Sequence, residues 1–296
     1  MEHETKTQRN YSLSASIVVA ALILGGAWVY VNQTNRSPVP AEAVAANVPE
    51  EKVLPAGGVI LPIRWGDLGS KMVAAGVIDL AKLDALYADR GGVPAEMRQL
   101  LTNEDNGPLK ITPENSGLLL NLLWALGLGN KNEILETGPM SDSKYGGAGN
   151  FASTGGWTLA TGEAMDHYSQ HAFMVLTPAQ QQMVERVSKN IYRPCCGNST
   201  HFPDCNHGMA MLGLLELMVS QGVSEEEMYK VALAVNSYWF PDTYLTLATY
   251  MKDQGVEWPD VKPEEILGAN YSSGAGYQRI QSQVSAPAEK GGGGCG

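Results

Sequence analysis

Four of the five histidines and three of the four cysteines of this 296-residue chain fall between His167 and His207. The densest stretch, RPCCGNSTHFPDCNHGMAM, contains Cys195, Cys196, His201, Cys205 and His207. Thiolate and imidazole are the donors that soft and borderline ions prefer, so this window points to zinc, copper or an iron–sulfur cluster and away from magnesium or calcium. Between the cysteines, Gly197, Asn198 and Pro203 permit a compact turn that brings Cys195 or Cys196 beside Cys205 and His207. An adjacent cysteine pair, a third cysteine nine residues on and a histidine two further matches no specific zinc spacing, so the sequence names the donors but not the metal.

A second group lies upstream in GEAMDHYSQHAF. If that segment is helical, Glu163, His167 and His171 stand at i, i+4 and i+8 on one face, the spacing by which a helix offers imidazoles to a metal. His167 and His171 then either complete the cysteine site or build another. Among the surrounding methionines, only Met209, two residues after His207, stands as a further thioether donor; the others read as core.

The same cysteines carry two rival readings. A thiol–disulfide oxidoreductase needs a reactive pair, here one of Cys195 and Cys196 with Cys205 resolving and Cys295 as a shuttle. A disulfide-stapled interaction domain without catalysis needs only a bridge; joining Cys205 to one of the adjacent pair closes a loop of about ten residues, worth about 2 to 3 kcal/mol in the chain-entropy account. The adjacent pair cannot both bridge to Cys205, which leaves one thiol over.

The elements that position this chemistry read as mainly α. The expected helices are 67–75, 79–88, 94–101, 113–127, 177–192, 207–221, 224–237 and 241–253, with start signals at Thr112 before Pro113, Thr177 with Gln180, and Ser224 with Glu227. Helix 177–192 is amphipathic, with Met183, Val184, Val187 and Ile191 on one stripe. Helix 207–221 is apolar on nearly every side except Glu216, which makes it the central buried helix and gives the Cys/His loop a rigid base. Asp204 or Asn206 is its expected N-cap, so Cys205 and His207 fall near the first turn, where free N–H groups favour a thiolate. Strands are expected to be few and short. The Gly-rich stretch Tyr145–Gly162 lacks the context of a phosphate loop and reads as a long surface loop packed by Phe151 and Trp157.

Residues 12–31, about twenty without a charge, match the length of a single-pass transmembrane helix. Lys6 and Arg9 before it and Arg36 after it give a two-to-one bias for a cytoplasmic N-terminus at 1–11 and an extracytoplasmic main domain. A Pro/Ala-rich stalk follows over 32–58, then a globular domain over 59–270 and a flexible Gly-rich tail over 271–296 whose Cys295 is free to meet a protein partner. The expected partner is thus the membrane, through one anchor. Nucleic acid is excluded, because 31 acidic against 20 basic residues give a net charge of -11 and phosphate binding needs clustered cations.

Overall fold

The structure is a computed structural model that describes residues 50–284. Among them the fold is mainly helical, with a two-stranded sheet. In chain order the elements are α1 (Glu50–Val53), β1 (Val59–Gly66), α2 (Leu68–Ala74), α3 (Leu80–Tyr87), α4 (Ala95–Thr102), β2 (Asn106–Ile111), α5 (Ser116–Gly129), α6 (Glu133–Thr137), α7 (Pro178–Asn190), α8 (Asn206–Ser220), α9 (Glu225–Trp239), α10 (Pro241–Asp253), α11 (Pro263–Leu267), α12 (Ala269–Ser272) and α13 (Gly274–Val284). All eight expected helices are present, with shifts of a few residues at their ends. No described helix is long and apolar enough to cross a membrane. The expected span over 12–31, the stalk up to residue 49 and Cys295 lie outside the described residues.

The centre of the fold is the pair α5 and α8, both apolar almost all round, with every residue of α8 from Gly208 to Val219 buried. Glycine lets them approach: a Cβ on Gly127 would lie 2.1 Å from the Met209 carbonyl oxygen, and one on Gly213 would lie 2.5 Å from that of Leu123. Any larger residue there would push the two backbones apart. Helix α7 covers α8 with Val184 and Val187, as its apolar stripe requires, and a capping box between Thr177 and Gln180 starts it.

Strands β1 and β2 pair antiparallel, with Val59 opposite Ile111 and Gly66 opposite Asn106. In β1, Leu61, Ile63 and Trp65 alternate inward onto the core. The packed part of the chain is longer than 59–270 at both ends. Before it, Val53 and Leu54 are buried and the Tyr238 hydroxyl donates to the Pro55 carbonyl, so residues 50–58 belong to the fold and not to a stalk. After it, α13 buries Gly276 and Ile280, which removes residues 274–284 from the expected flexible tail. Two apolar residues in one short turn, and one isoleucine among polar residues, give no periodicity strong enough to read beforehand.

The largest local difference lies at 163–171. Instead of a helix there is a 3-10 turn over Ala164–Asp166, and Ser169 takes a left-handed φ of 57°. Backbone bonds explain this: Ser169 and His171 donate to the carbonyls of Leu128 and Gly129, and Lys131 donates to that of His171, so the segment pairs with the end of α5. Tertiary pairing overrides the local 3.6-residue pattern.

Candidate metal centre

The Cys/His window forms a short loop closed by an antiparallel bridge between Tyr192 and Ser199, followed by the start of α8. Cys205 is the residue at the N-cap position, and His207 lies in the first turn. Asn206 turns its side-chain oxygen to the His207 N–H, whereas Asp204 caps nothing. Asp204 instead faces Arg193 and accepts from Asn198.

This arrangement brings three of the expected donors together. The ligand atoms of Cys195, Cys205 and His207 all lie within 4.8 Å of one another, and the Cys195 and Cys205 sulfurs are 3.6 Å apart. A second group, Cys196, Asp204 and Cys205, meets the same limit and shares Cys205. These Cys/His groups are near enough to one another to hold a metal ion. No disulfide joins the three described cysteines; Cys195 is exposed, and Cys196 and Cys205 are half-buried.

His207 is held between Trp239 and Phe240, with its ring centroid 4.4 Å from that of Phe240. Its Nδ1 is buried and has no hydrogen-bond partner. A buried imidazole nitrogen without a partner costs free energy unless something binds it.

Arg193 was not singled out by the sequence, yet it underlies the whole loop. Its side chain is only 2% exposed. The guanidinium donates from Nε to the Cys205 sulfur at 3.0 Å, from Nη1 to the Asn198 carbonyl at 3.2 Å, and from Nη2 to the Phe202 carbonyl at 2.9 Å and Asp204 Oδ1 at 2.5 Å. Planar donors in a fixed fork suit this better than a lysine would. The available signal was a charge on each side of the sulfurs, Arg193 two residues before Cys195 and Asp204 immediately before Cys205.

The electrostatics separate the sulfurs. Hydrogen bonding from the Cys195 and Cys196 thiols, joined by His207 and the Arg193 charge, holds the Cys205 thiol far below the ordinary cysteine range despite its burial. The Cys195 thiol is pushed up because it is hydrogen-bonded in its protonated form to Cys196 and Cys205 and is partly desolvated. The surroundings therefore favour negative charge on Cys205, next to a fixed cation, over negative charge on Cys195.

The remaining expected ligands lie elsewhere. His201 turns to α7, its Nδ1 3.5 Å from the Ser188 hydroxyl, and burial lowers its pKa. His167 and His171 meet each other, Nδ1 to Nε2 at 3.0 Å, with His167 Nε2 bonded to the Thr161 carbonyl at 2.8 Å. Neither belongs to a described group of three metal donors. Met209 is fully buried in the α5–α8 contact. The Gly-rich loop reaches the centre only as packing: the Ser153 N–H donates to the Asp204 carbonyl, and Phe151 packs edge-on against Phe202. Trp157 is buried and donates to the Val77 carbonyl, as expected of a loop pinned by its aromatic residues.

Comparison with known proteins finds no matching family model, curated protein or solved structure.

Proposed function

We propose that this chain is a membrane-anchored, extracytoplasmic α-helical protein that binds a thiophilic transition metal, with Cys195, Cys205 and His207 as the primary ligands. Cys196 is the nearest further sulfur and serves as the exchangeable fourth donor. The observation that carries this reading is the convergence of a His207 ring nitrogen and the Cys195 and Cys205 sulfurs, all within 4.8 Å of one another, with the two sulfurs 3.6 Å apart. Around tetrahedral zinc, with metal–sulfur bonds of about 2.3 Å, two sulfurs stand about 3.8 Å apart, and two-coordinate copper would hold them wider. The spacing therefore suits a tetrahedral ion such as zinc, and an exposed Cys195 favours exchange of the ion over permanent burial.

Arg193 is the orienting residue in this account. It fixes the Cys205 sulfur and offsets one unit of the negative charge that two thiolates bring, and groups behind the ligands commonly tune affinity by about ten- to a hundredfold. The membrane anchor is supported by residues 12–31 and the Lys/Arg bias alone.

Native mass spectrometry of full-length, fully reduced protein mixed with zinc tests the proposal. One tightly held ion, lost on Cys205→Ser substitution but kept on His201→Ala or His171→Ala substitution, is expected. Equal uptake by the Cys205→Ser protein would refute it.

A further inference from the structure

Cys195 and Cys205 are near enough to do more than share an ion, and this inference rests on the reading above that both are ligands. Their sulfurs, at 3.6 Å, are about 1.5 Å beyond the length of a disulfide bond. Cys195 is exposed and sits on a turn beside Gly197, around which there is open space. Cys205 is half-buried, anchored at the head of α8 and bonded to Arg193. If the Cys205 sulfur ceases to be an anion, Arg193 still keeps Asn198, Phe202 and Asp204 as acceptors, so oxidation leaves no unpaired buried cation. The Cys196 sulfur also lies within 4.8 Å of that of Cys205, but it is half-buried and 3.9 Å from the Asn198 carbonyl, so the exposed Cys195 is the sulfur an external disulfide reaches.

We propose that, without metal, Cys195 and Cys205 form a reversible dithiol–disulfide couple that exchanges with external thiols and disulfides through Cys195. In the oxidising direction the exposed Cys195 thiol gives up its proton to solvent base, and its sulfur attacks one sulfur of an external disulfide. A bond forms between them, the external disulfide bond breaks and one external thiolate leaves. Cys205 then attacks the Cys195 sulfur, closing the internal disulfide and releasing the second external thiolate. The protein pair loses two electrons and whatever protons its sulfurs carry, the electrons reduce the external disulfide to two thiolates, and the protons pass to those thiolates or to water. In reverse, an external thiolate attacks the exposed Cys195 sulfur, and Cys205 leaves as a thiolate into its contact with the Arg193 Nε–H. Metal and disulfide draw on the same two sulfurs and exclude each other, so the external thiol poise gates metal uptake.

Full-length, metal-stripped protein equilibrated in mixtures of reduced and oxidised glutathione tests this. The thiols are alkylated, and the chain is cleaved on the N-terminal side of Asp204, which places Cys195 and Cys196 on one peptide and Cys205 on the next. The expected result is a link between Cys195 and Cys205 that grows with the oxidised fraction, reverses on reduction and is suppressed by prior zinc loading. In the Cys205→Ser protein a glutathione adduct should accumulate on Cys195. A link through Cys196, an adduct on Cys196 in place of Cys195, or no link in fully oxidised glutathione would overturn the proposal. If the link forms but reduced protein takes up no zinc, the metal reading fails and the couple stands. If zinc binds and no link forms, only the couple fails.

Discussion

Two buried ionisable groups, Arg193 and Glu216, sit at the head of and within the same helix, and their surroundings differ in kind. At the head of α8, Arg193 lies under a loop whose Cys195 reaches solvent, and its partner Cys205 lies near His207, whose buried Nδ1 has no hydrogen-bond partner. Farther down, Glu216 is wholly buried and takes one amide donor on each oxygen, Asn130 at 2.8 Å and Asn132 at 2.6 Å. Backbone N–H groups lock both amides: Met174 donates to Asn130 Oδ1 and Ile134 to Asn132 Oδ1. Glu216 therefore staples the ends of the long irregular segment to the core, each of its oxygens held by an amide. Both environments give their buried group hydrogen-bond partners. Only the first leaves other donors unsatisfied and open to exchange, and that separates chemistry from architecture here.

Breaking the head of the helix should cost the most. Arg193→Met removes the cation and leaves Asp204 without its partner, and losing one half of a buried pair costs about 3 to 5 kcal/mol. Urea unfolding of the reduced, metal-free protein should show that loss, and zinc affinity should fall with it. Retention of near wild-type stability would mean that Arg193 does not hold the loop together.

Gly127→Ala comes next. The new methyl meets the Met209 carbonyl at the α5–α8 contact, where overpacking costs about 1 to 3 kcal/mol. The same substitution should weaken zinc binding, because it displaces the helix that carries His207, whereas Gly107→Ala, at an exposed position of β2 with open space, should leave binding unchanged. Thermal melts and zinc titrations of both variants check this.

Glu216→Gln sharpens the contrast through pH. Burial raises the Glu216 pKa well above its ordinary value, outweighing the two amide donors that favour the anion. The folded state then holds a proton that the unfolded chain releases. This contribution is complete below the ordinary glutamate pKa of about 4.3 and is lost as pH rises toward the folded value. Denaturation at several pH values should show this decline in the wild type and its absence in the Gln variant; parallel profiles would contradict it.

The smallest effect is expected from His171→Ala. Desolvation and the neighbouring His167 lower the His171 pKa, so the ring is neutral near pH 7 and its loss removes one hydrogen bond to His167. Such a bond contributes about 0.5 to 1.5 kcal/mol. Zinc stoichiometry should not change.

Helices with their own start signals were legible from the sequence. Thr177 with Gln180 and Ser224 with Glu227 form the caps expected of them, and the all-apolar helix proved central. Thr112 did not start its helix: it exchanges hydrogen bonds with Asn115 in a tight turn, and α5 begins only at Ser116. At the centre, Cys195, Cys205 and His207 were legible because a Gly/Pro loop before a rigid helix has few ways to fold. Arg193 was not, since nothing in one-dimensional spacing says that an arginine beside a proline points inward. His167 and His171 do meet, but through pairing with the end of α5, so the helical argument for them gave the right neighbours for the wrong reason.

X-ray absorption at the zinc edge, on full-length protein loaded with one equivalent, tests the central claim most directly. The account predicts at least two sulfurs at about 2.3 Å and one imidazole nitrogen at about 2.0 Å, with the nitrogen contribution lost on His207→Ala substitution. A shell of oxygen and nitrogen alone, or a spectrum that His207→Ala leaves unaltered, would contradict it.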